Sequence, residues 1–269
     1  MTELQNAVIL ITGANGGFGQ EMIRQFLQAN GRLIVTDLNK ETLAQTVHAI
    51  QNEVTTGEVV ACLAADLSAA VGCQQLYEAV QAFNLPVDIL VNNAGLAAFG
   101  RFDEVPQEKW EMIMQINQLA PMRLCHHFIP GMVARGQGHI VNISSMAGWV
   151  GAKGLATYSA SKHGLRGFSE SLMDELEEHG VVVTAVYPFY SRTPILNSPR
   201  FGSLSGATLP DDMLSDPADV IREVIQGIQK NQQHVFPDKT AKQMHILKRY
   251  APRLLDFLNG RMQAQAVQE

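Results

Sequence analysis

Short apolar runs near residues 7–12, 32–37, 59–65, 87–92, 139–144, 181–187 and 234–236 alternate with helical patterns near 18–29, 40–52, 68–83, 107–134, 158–179 and 217–230. The first run, Ala7-Val8-Ile9-Leu10-Ile11, is apolar at every position, so a strand formed there needs cover on both faces. Strand–helix alternation of this kind leaves few arrangements: a parallel sheet joined by right-handed crossovers, with helices on both sides. Such a doubly wound α/β sheet has the strand order 3-2-1-4-5-6. At 269 residues the chain holds one domain of this class, and a second would be crowded. Gly31 and Gly180 each follow a helical pattern, as C-terminal caps do. From Ser191 to Pro217 the composition turns to Ser, Gly and Pro without periodicity, which reads as a functional lid or a mobile segment.

Between the first run and the first helix stands Thr12-Gly13-Ala14-Asn15-Gly16-Gly17-Phe18-Gly19. Glycines let a backbone approach a pyrophosphate, whose charge is favoured by the open N–H groups and dipole at a helix start. The spacing differs from Gly-x-Gly-x-x-Gly, so the usual dinucleotide fingerprint is only partly met. The second run, Leu33-Ile34-Val35-Thr36-Asp37, ends in a carboxylate eighteen residues after Gly19, where a ribose-binding acid belongs. Asp37 would repel a 2′-phosphate, so NAD is expected over NADP. Leu38 brings no cation, and Lys40 is the one basic residue close enough to blur the choice.

Tyr158 and Lys162 lie four apart in Tyr158-Ser159-Ala160-Ser161-Lys162, thirteen residues after Ser145. On a helix they share a face, and the ammonium can lower the phenol from about 10 toward the neutral range. Alone, such a pair is more often an exposed surface pair. It stands with Asn92-Asn93-Ala94-Gly95 after the fourth run and Asn142-Ile143-Ser144-Ser145 after the fifth. Together with the glycine-rich turn and Asp37, these motifs resemble the short-chain dehydrogenase/reductase family from Val8 to about Pro237.

The resemblance implies a Rossmann-type sheet of about seven strands spanning residues 1–237, a substrate loop near 189–217, and a helical extension over 238–269. It implies that Tyr158 is the general acid/base, that Lys162 lowers its pKa and bonds the nicotinamide ribose, that Ser145 steadies the substrate oxygen, and that Asn117 holds a relay water. In the cofactor site it implies Gly13, Asn15, Gly16, Gly17, Phe18 and Gly19 at the phosphates, Asp37 and Leu38 at the ribose, and Asp66 and Leu67 at the adenine. Asn93, Ala94, Gly95 and Pro188 complete the set, with Thr193 at the carboxamide. Gly16 sits where many NADP users of the family carry a basic residue. One departure stands out: the family's Pro-Gly after the sixth strand is Pro188-Phe189, similar to some retinol and hydroxysteroid dehydrogenases. Met146, Trp149, Leu155, Phe189 and Tyr190 are then either an apolar substrate pocket or ordinary loop packing. The expected function is NAD-dependent interconversion of a lipophilic alcohol and its carbonyl. The alternatives are an NADPH-dependent 3-oxoacyl or ketone reductase and a non-catalytic dinucleotide sensor.

A net charge of −6, 46% hydrophobic and 17% charged residues describe a mildly acidic chain with no expected nucleic-acid partner. Cys62, Cys73 and Cys125 have no ligand or redox spacing, and neither they nor His126-His127 suggest a metal. No leader or membrane-length apolar run is seen, so a cytoplasmic location is expected. A homodimer or homotetramer follows from the resemblance. After Pro237, Leu247, Tyr250, Leu254, Phe257 and Leu258 recur at helical spacing, interrupted near Pro252. Lys239, Lys242, Lys248, Arg249, Arg253 and Arg261 surround that stripe against Asp238 and Asp256. Such a helix can pack on its parent domain, the favoured reading, or lie on an anionic membrane surface.

Overall fold

The computed structural model describes residues 1–202 and 213–253. Seven parallel strands form one sheet in the order β3-β2-β1-β4-β5-β6-β7: β1 Val8–Thr12, β2 Arg32–Asp37, β3 Glu58–Ala64, β4 Ile89–Asn92, β5 Gly138–Ile143, β6 Val181–Val186 and β7 His234–Val235. The order runs outward in both directions from β1, which pairs Ile9 with Leu33 on one side and with Ile89 on the other. Alternation of side chains along β1 divides the core. Ile9 and Ile11 pack with Met22, Ile23, Phe26 and Leu27 of α1 (Gly17–Gln28), with α2 (Lys40–Glu53) and with α7 (Pro217–Gln229). Val8 and Leu10 face α3 (Ala70–Gln81), α5 (Ala120–Arg135) and α6 (Ala156–Leu176) on the opposite side.

The continuous 107–134 helix expected from the sequence is divided. α4 (Gln107–Met114) passes through a π-helical turn, Gln115–Leu119, into α5. All these segments have helical dihedrals, so apolar periodicity gives no sign of the change in hydrogen bonding. The 189–217 segment is better anchored than its composition implies: a short 3₁₀ turn covers Pro194–Asn197, and backbone bridges join Phe99 to Arg200 and Ser191 to Ser215. Part of that segment, 203–212, lies outside the described residues.

At residue 238 the chain starts α8 (Lys239–Tyr250) without leaving the domain. Asp238 caps this helix through the Ala241 N–H (2.8 Å) and also accepts the Phe189 N–H (2.8 Å). Ala241 is fully buried in the core against the helices, and Met244 packs beside it. The inward face runs through Ala241, Met244 and His245; of the expected stripe Leu247 is half-buried with them, whereas Tyr250 is 74% exposed. The helix stops before Pro252 as proline requires. Leu254, Asp256, Phe257, Leu258 and Arg261 lie outside the described residues. Among those described, no helix is long and apolar enough to cross a membrane.

Candidate active site

The C-terminal ends of the strands open into one cleft of about 1310 Å³. At its β1–β4 end, backbone approaches backbone. Gly13 has φ +62°, and a Cβ there would stand 2.6 Å from the Ala94 Cα. A Cβ on Gly17 would meet the Thr193 Cγ2 at 2.7 Å. Asn93 ties the two loops, donating from Nδ2 to the carbonyls of Thr12 and Gly13 (2.9 Å each). The Thr12 hydroxyl accepts from the N–H groups of Asn93 (3.0 Å) and Ala94 (3.1 Å). Asp37 is held in position by the N–H groups of Asn15 (2.9 Å) and Leu38 (2.8 Å). Asp66 receives the Ser68 N–H, and hydrogen bonding from Ser68 keeps its carboxyl below the usual range.

A dinucleotide fits this end. Gly16 at the start of α1 supplies no side-chain cap, so the first N–H groups of the helix are left for an anion. Asn15, Gly16, Gly17, Phe18, Asp37, Leu38, Asp66, Leu67, Asn93, Ala94 and Gly95 all line the cleft with Gly13, as do Pro188 and Thr193 at its middle. Gly19 does not. It is buried behind the turn, where a Cβ would lie 2.4 Å from the Gly13 carbonyl oxygen; it permits the turn to seat on α1 and has no surface for a ligand.

Further along, Ser145, Tyr158 and Lys162 line the same cleft. Ser145 caps a 3₁₀ turn, its hydroxyl accepting the Ala147 N–H (3.0 Å), whereas Ser144 is buried and donates to the Lys162 carbonyl (2.9 Å). Tyr158 stands in the first turn of α6, with Lys162 one turn on. The ammonium is buried, donates to the Ile143 carbonyl (2.7 Å) and lies 5.7 Å from the Tyr158 ring centroid. The expected lowering of the phenol by this cation is not what the protein alone produces. Burial pushes Tyr158 up to about 12, with hydrogen bonding to Ser145 opposing the rise, and burial brings Lys162 down to about 8.

Two more expectations are corrected. Asn117 does not reach the cleft: it is fully buried in the π turn, where its Oδ1 accepts the Leu96 N–H (2.8 Å) and its Nδ2 donates to the Leu96 carbonyl (2.9 Å) and the Ser161 hydroxyl (3.1 Å). These bonds engage both ends of the amide, so the side chain clamps the loop after Gly95. Trp149 also points elsewhere. Its ring sits edge-on to Tyr187 (5.2 Å), Phe236 (5.2 Å) and His245 (4.9 Å), with the Arg166 guanidinium 3.6 Å from its centroid. Met146, Leu155, Phe189 and Tyr190 do line the cleft.

The family model for short chain dehydrogenases matches residues 7–200. This chain belongs to the short-chain dehydrogenase family. Among its curated relatives is human epidermal retinol dehydrogenase 2, 31% identical over 248 residues, which make up 91% of this chain and 78% of that protein. A putative ketoacyl reductase of Streptomyces coelicolor is 34% identical over 202 residues, 74% of this chain and 76% of the relative. Of the solved structures, a short-chain dehydrogenase from Sphingobium yanoikuyae in complex with NADPH superposes with a TM-score of 0.77 at 25% identity, covering 96% of this chain and 94% of the other. One from Burkholderia phymatum in complex with NAD shares the fold, with a TM-score of 0.78 at 24% identity over 93% and 96% of the two chains.

As a short-chain dehydrogenase, the protein is an NAD(P)-dependent oxidoreductase acting on alcohols and carbonyl compounds. Its substrate end contains residues that the sequence did not single out: Lys153, Arg200, Met213 and Met244 line the cleft of this dehydrogenase. Met244 could have been found only by knowing that α8 turns its 241–244–245 face inward. Arg200 carried no motif; it is one of two basic residues, with Arg192, between Ser191 and Pro217.

Proposed function

We propose that this dehydrogenase interconverts a lipophilic alcohol and its carbonyl with NAD as cofactor and Tyr158 as the acid/base. The observation that carries the reading is the convergence of Ser145, Tyr158 and Lys162 on a cleft whose other end closes with the fixed carboxylate of Asp37. The nicotinamide, when bound, supplies or accepts the hydride. Tyr158 moves the proton at the substrate oxygen through its phenol. Ser145, whose hydroxyl already accepts the Ala147 N–H, keeps its own proton for donation to the same oxygen. Lys162 would hold the nicotinamide ribose and stabilise a phenolate on Tyr158. Asn117 is a positioning residue: a Cβ on Gly95 would have the Asn117 Oδ1 at 3.5 Å and the Lys162 Nζ at 3.6 Å, so the clamp on Leu96 and the ammonium border the same backbone.

With Tyr158 pushed to about 12, the phenol is protonated near neutrality, the form that serves carbonyl reduction; alcohol oxidation needs the phenolate and gains as pH rises. Asp37 favours NAD because its oxygens, oriented by Asn15 and Leu38, suit ribose hydroxyls and repel a 2′-phosphate. Leu96, Phe99, Met146, Leu155, Phe189 and Met244 favour an apolar substrate body. The likeness to a ketoacyl reductase favours a second reading, NADPH-dependent reduction of a 3-oxoacyl compound. A panel of alcohols, ketones and 3-oxoacyl thioesters, followed by absorbance of the reduced nucleotide with each cofactor, separates the two. Turnover of apolar alcohols or ketones with NAD(H) is expected; exclusive use of NADPH on 3-oxoacyl thioesters would replace the first reading with the second.

A further inference from the structure

We infer that Arg200 recognises a carboxylate, so that the substrate is an amphipathic acid with an apolar body carrying the reacting alcohol or carbonyl. This rests on the reading of the cleft as an oxidoreductase substrate site. Arg200 is fixed at its backbone by the bridge to Phe99, with the Phe99 N–H donating to the Pro199 carbonyl (2.9 Å) and the Phe201 N–H to the Phe99 carbonyl (2.7 Å). Its Cζ lies 4.4 Å from the Phe99 ring centroid, and Nη2 donates to the Leu196 carbonyl (3.2 Å). Arg200, Phe99 and Leu196 all line the cleft.

A guanidinium has five N–H donors in a rigid fork, and that single hydrogen bond leaves most of them unused. Arg24, Arg32, Arg101, Arg166 and Arg222 each hold a carboxylate of the protein; among the described residues none pairs with Arg200. An unpaired half-buried cation beside apolar walls is a poor neighbour for a neutral hydrocarbon and a good one for a planar oxyanion, which it can grip with two parallel bonds. Its position also suits the far end of a substrate. Tyr158, Tyr190 and Arg200 line the same cleft as Phe99 and Leu196. A substrate with its oxygen at Tyr158 can lay its apolar body on Phe99 and Leu196, the two residues that Arg200 touches, and present its other end to the guanidinium.

Isothermal titration of the full chain with saturating NADH, using decanoate and decanol as probes, tests the assignment without requiring turnover. Decanoate is expected to bind wild type at least about 10-fold tighter than decanol, the scale of one charge-assisted contact. Arg200→Gln keeps a donor for the Leu196 carbonyl and should abolish that preference while leaving decanol within about twofold; Arg200→Lys should keep part of it. Equal binding of the two probes by wild type, or equal loss of both in Arg200→Gln, overturns the assignment and leaves Arg200 as a bracket for Phe99. Nucleotide absorbance reads the underlying function separately. A protein that selects decanoate but oxidises or reduces nothing supports the role of Arg200 and counts against the oxidoreductase reading; one that turns over neutral alcohols and ignores decanoate does the reverse.

Discussion

At the nucleotide end of the cleft backbone packs on backbone: Gly13 against Ala94, Gly19 against the Gly13 carbonyl, and the Asn93 amide against two main-chain oxygens. At the substrate end side chain packs on side chain, with Phe189, Tyr190, Met244 and Arg200 brought together by a looping segment and α8. A wall made of main chain cannot yield to an added methyl group, because nothing in it can change rotamer. A wall of long side chains can. The two ends should therefore respond differently to substitution, the first losing fold and ligand together and the second losing substrate preference alone.

The largest effect is expected where the two ends meet. Tyr158→Phe removes one hydroxyl and should lower turnover by about 10³-fold or more while NADH affinity and the melting temperature hold, as steady-state kinetics, fluorescence titration and calorimetry would read. Residual activity within 10-fold of wild type would take the proton-transfer role from this residue. Gly13→Val comes next: with φ +62° and Ala94 Cα at 2.6 Å, it should weaken NADH binding at least about 100-fold and lower stability by about 2–4 kcal/mol. Near-normal NADH binding in that variant would break the contrast between the ends. Asp37→Ala should shift the NADPH-to-NADH affinity ratio by about 10-fold toward NADPH without touching substrate choice. At the yielding end, Met244→Ala should change substrate KM by only about threefold to tenfold and leave NADH affinity as it was; a matching loss of NADH affinity would show that α8 supports both ends.

A last prediction probes the N-terminal end of a central strand, away from the cleft, as a control. His139 in β5 is buried between the hydroxyls of Thr2 and Thr184 (2.8 Å each), and burial brings its imidazole down to about 3. Because the folded value lies below the ordinary 6.5, the neutral ring's contribution is complete above that pH and is lost as pH falls from 6.5 toward 3. Urea unfolding between pH 7 and 4.5 should show a slope of up to about 1.4 kcal/mol per pH unit from this residue, flattened in His139→Asn, with no matching change in nucleotide or substrate binding. An equally steep slope in the variant would assign the acid sensitivity elsewhere.

The same contrast explains what could be read from the chain before any coordinates. A glycine at positive φ and a carboxylate ending a strand are demands that local geometry places directly on residue type, so Gly13 and Asp37 were visible by spacing, as were the strand order and the Tyr158–Lys162 pair. For Trp149, between Met146 and Leu155 of the cleft wall, the sequence leaves substrate pocket and loop packing both open. The ring's departure from the cleft is decided by edge-on contacts with Tyr187, Phe236 and His245, which come from segments remote in the chain. Met244 and Arg200 depend likewise on how remote segments fold back, for which the sequence carries no local signal. The phenol's high pKa was missed for a related reason: spacing shows which charge is near Tyr158 but not how much water is gone.

The π turn at Gln115–Leu119 carries a consequence for reading other chains of this kind. Each residue of an α-helix advances the phase by about 100°, and a π turn absorbs one residue more than the regular repeat. Deleting one residue between Gln115 and Leu119 would restore an unbroken helix with both flanks kept in phase, because the extra residue is the one that the wider turn takes up. Leu124, Cys125 and Phe128 would keep their places in the core, while the widened turn that aims Asn117 at Leu96 would be gone. A one-residue gap at this point in an aligned homologue would thus mark the loss of the Leu96 clamp even where the asparagine itself is still written in the sequence.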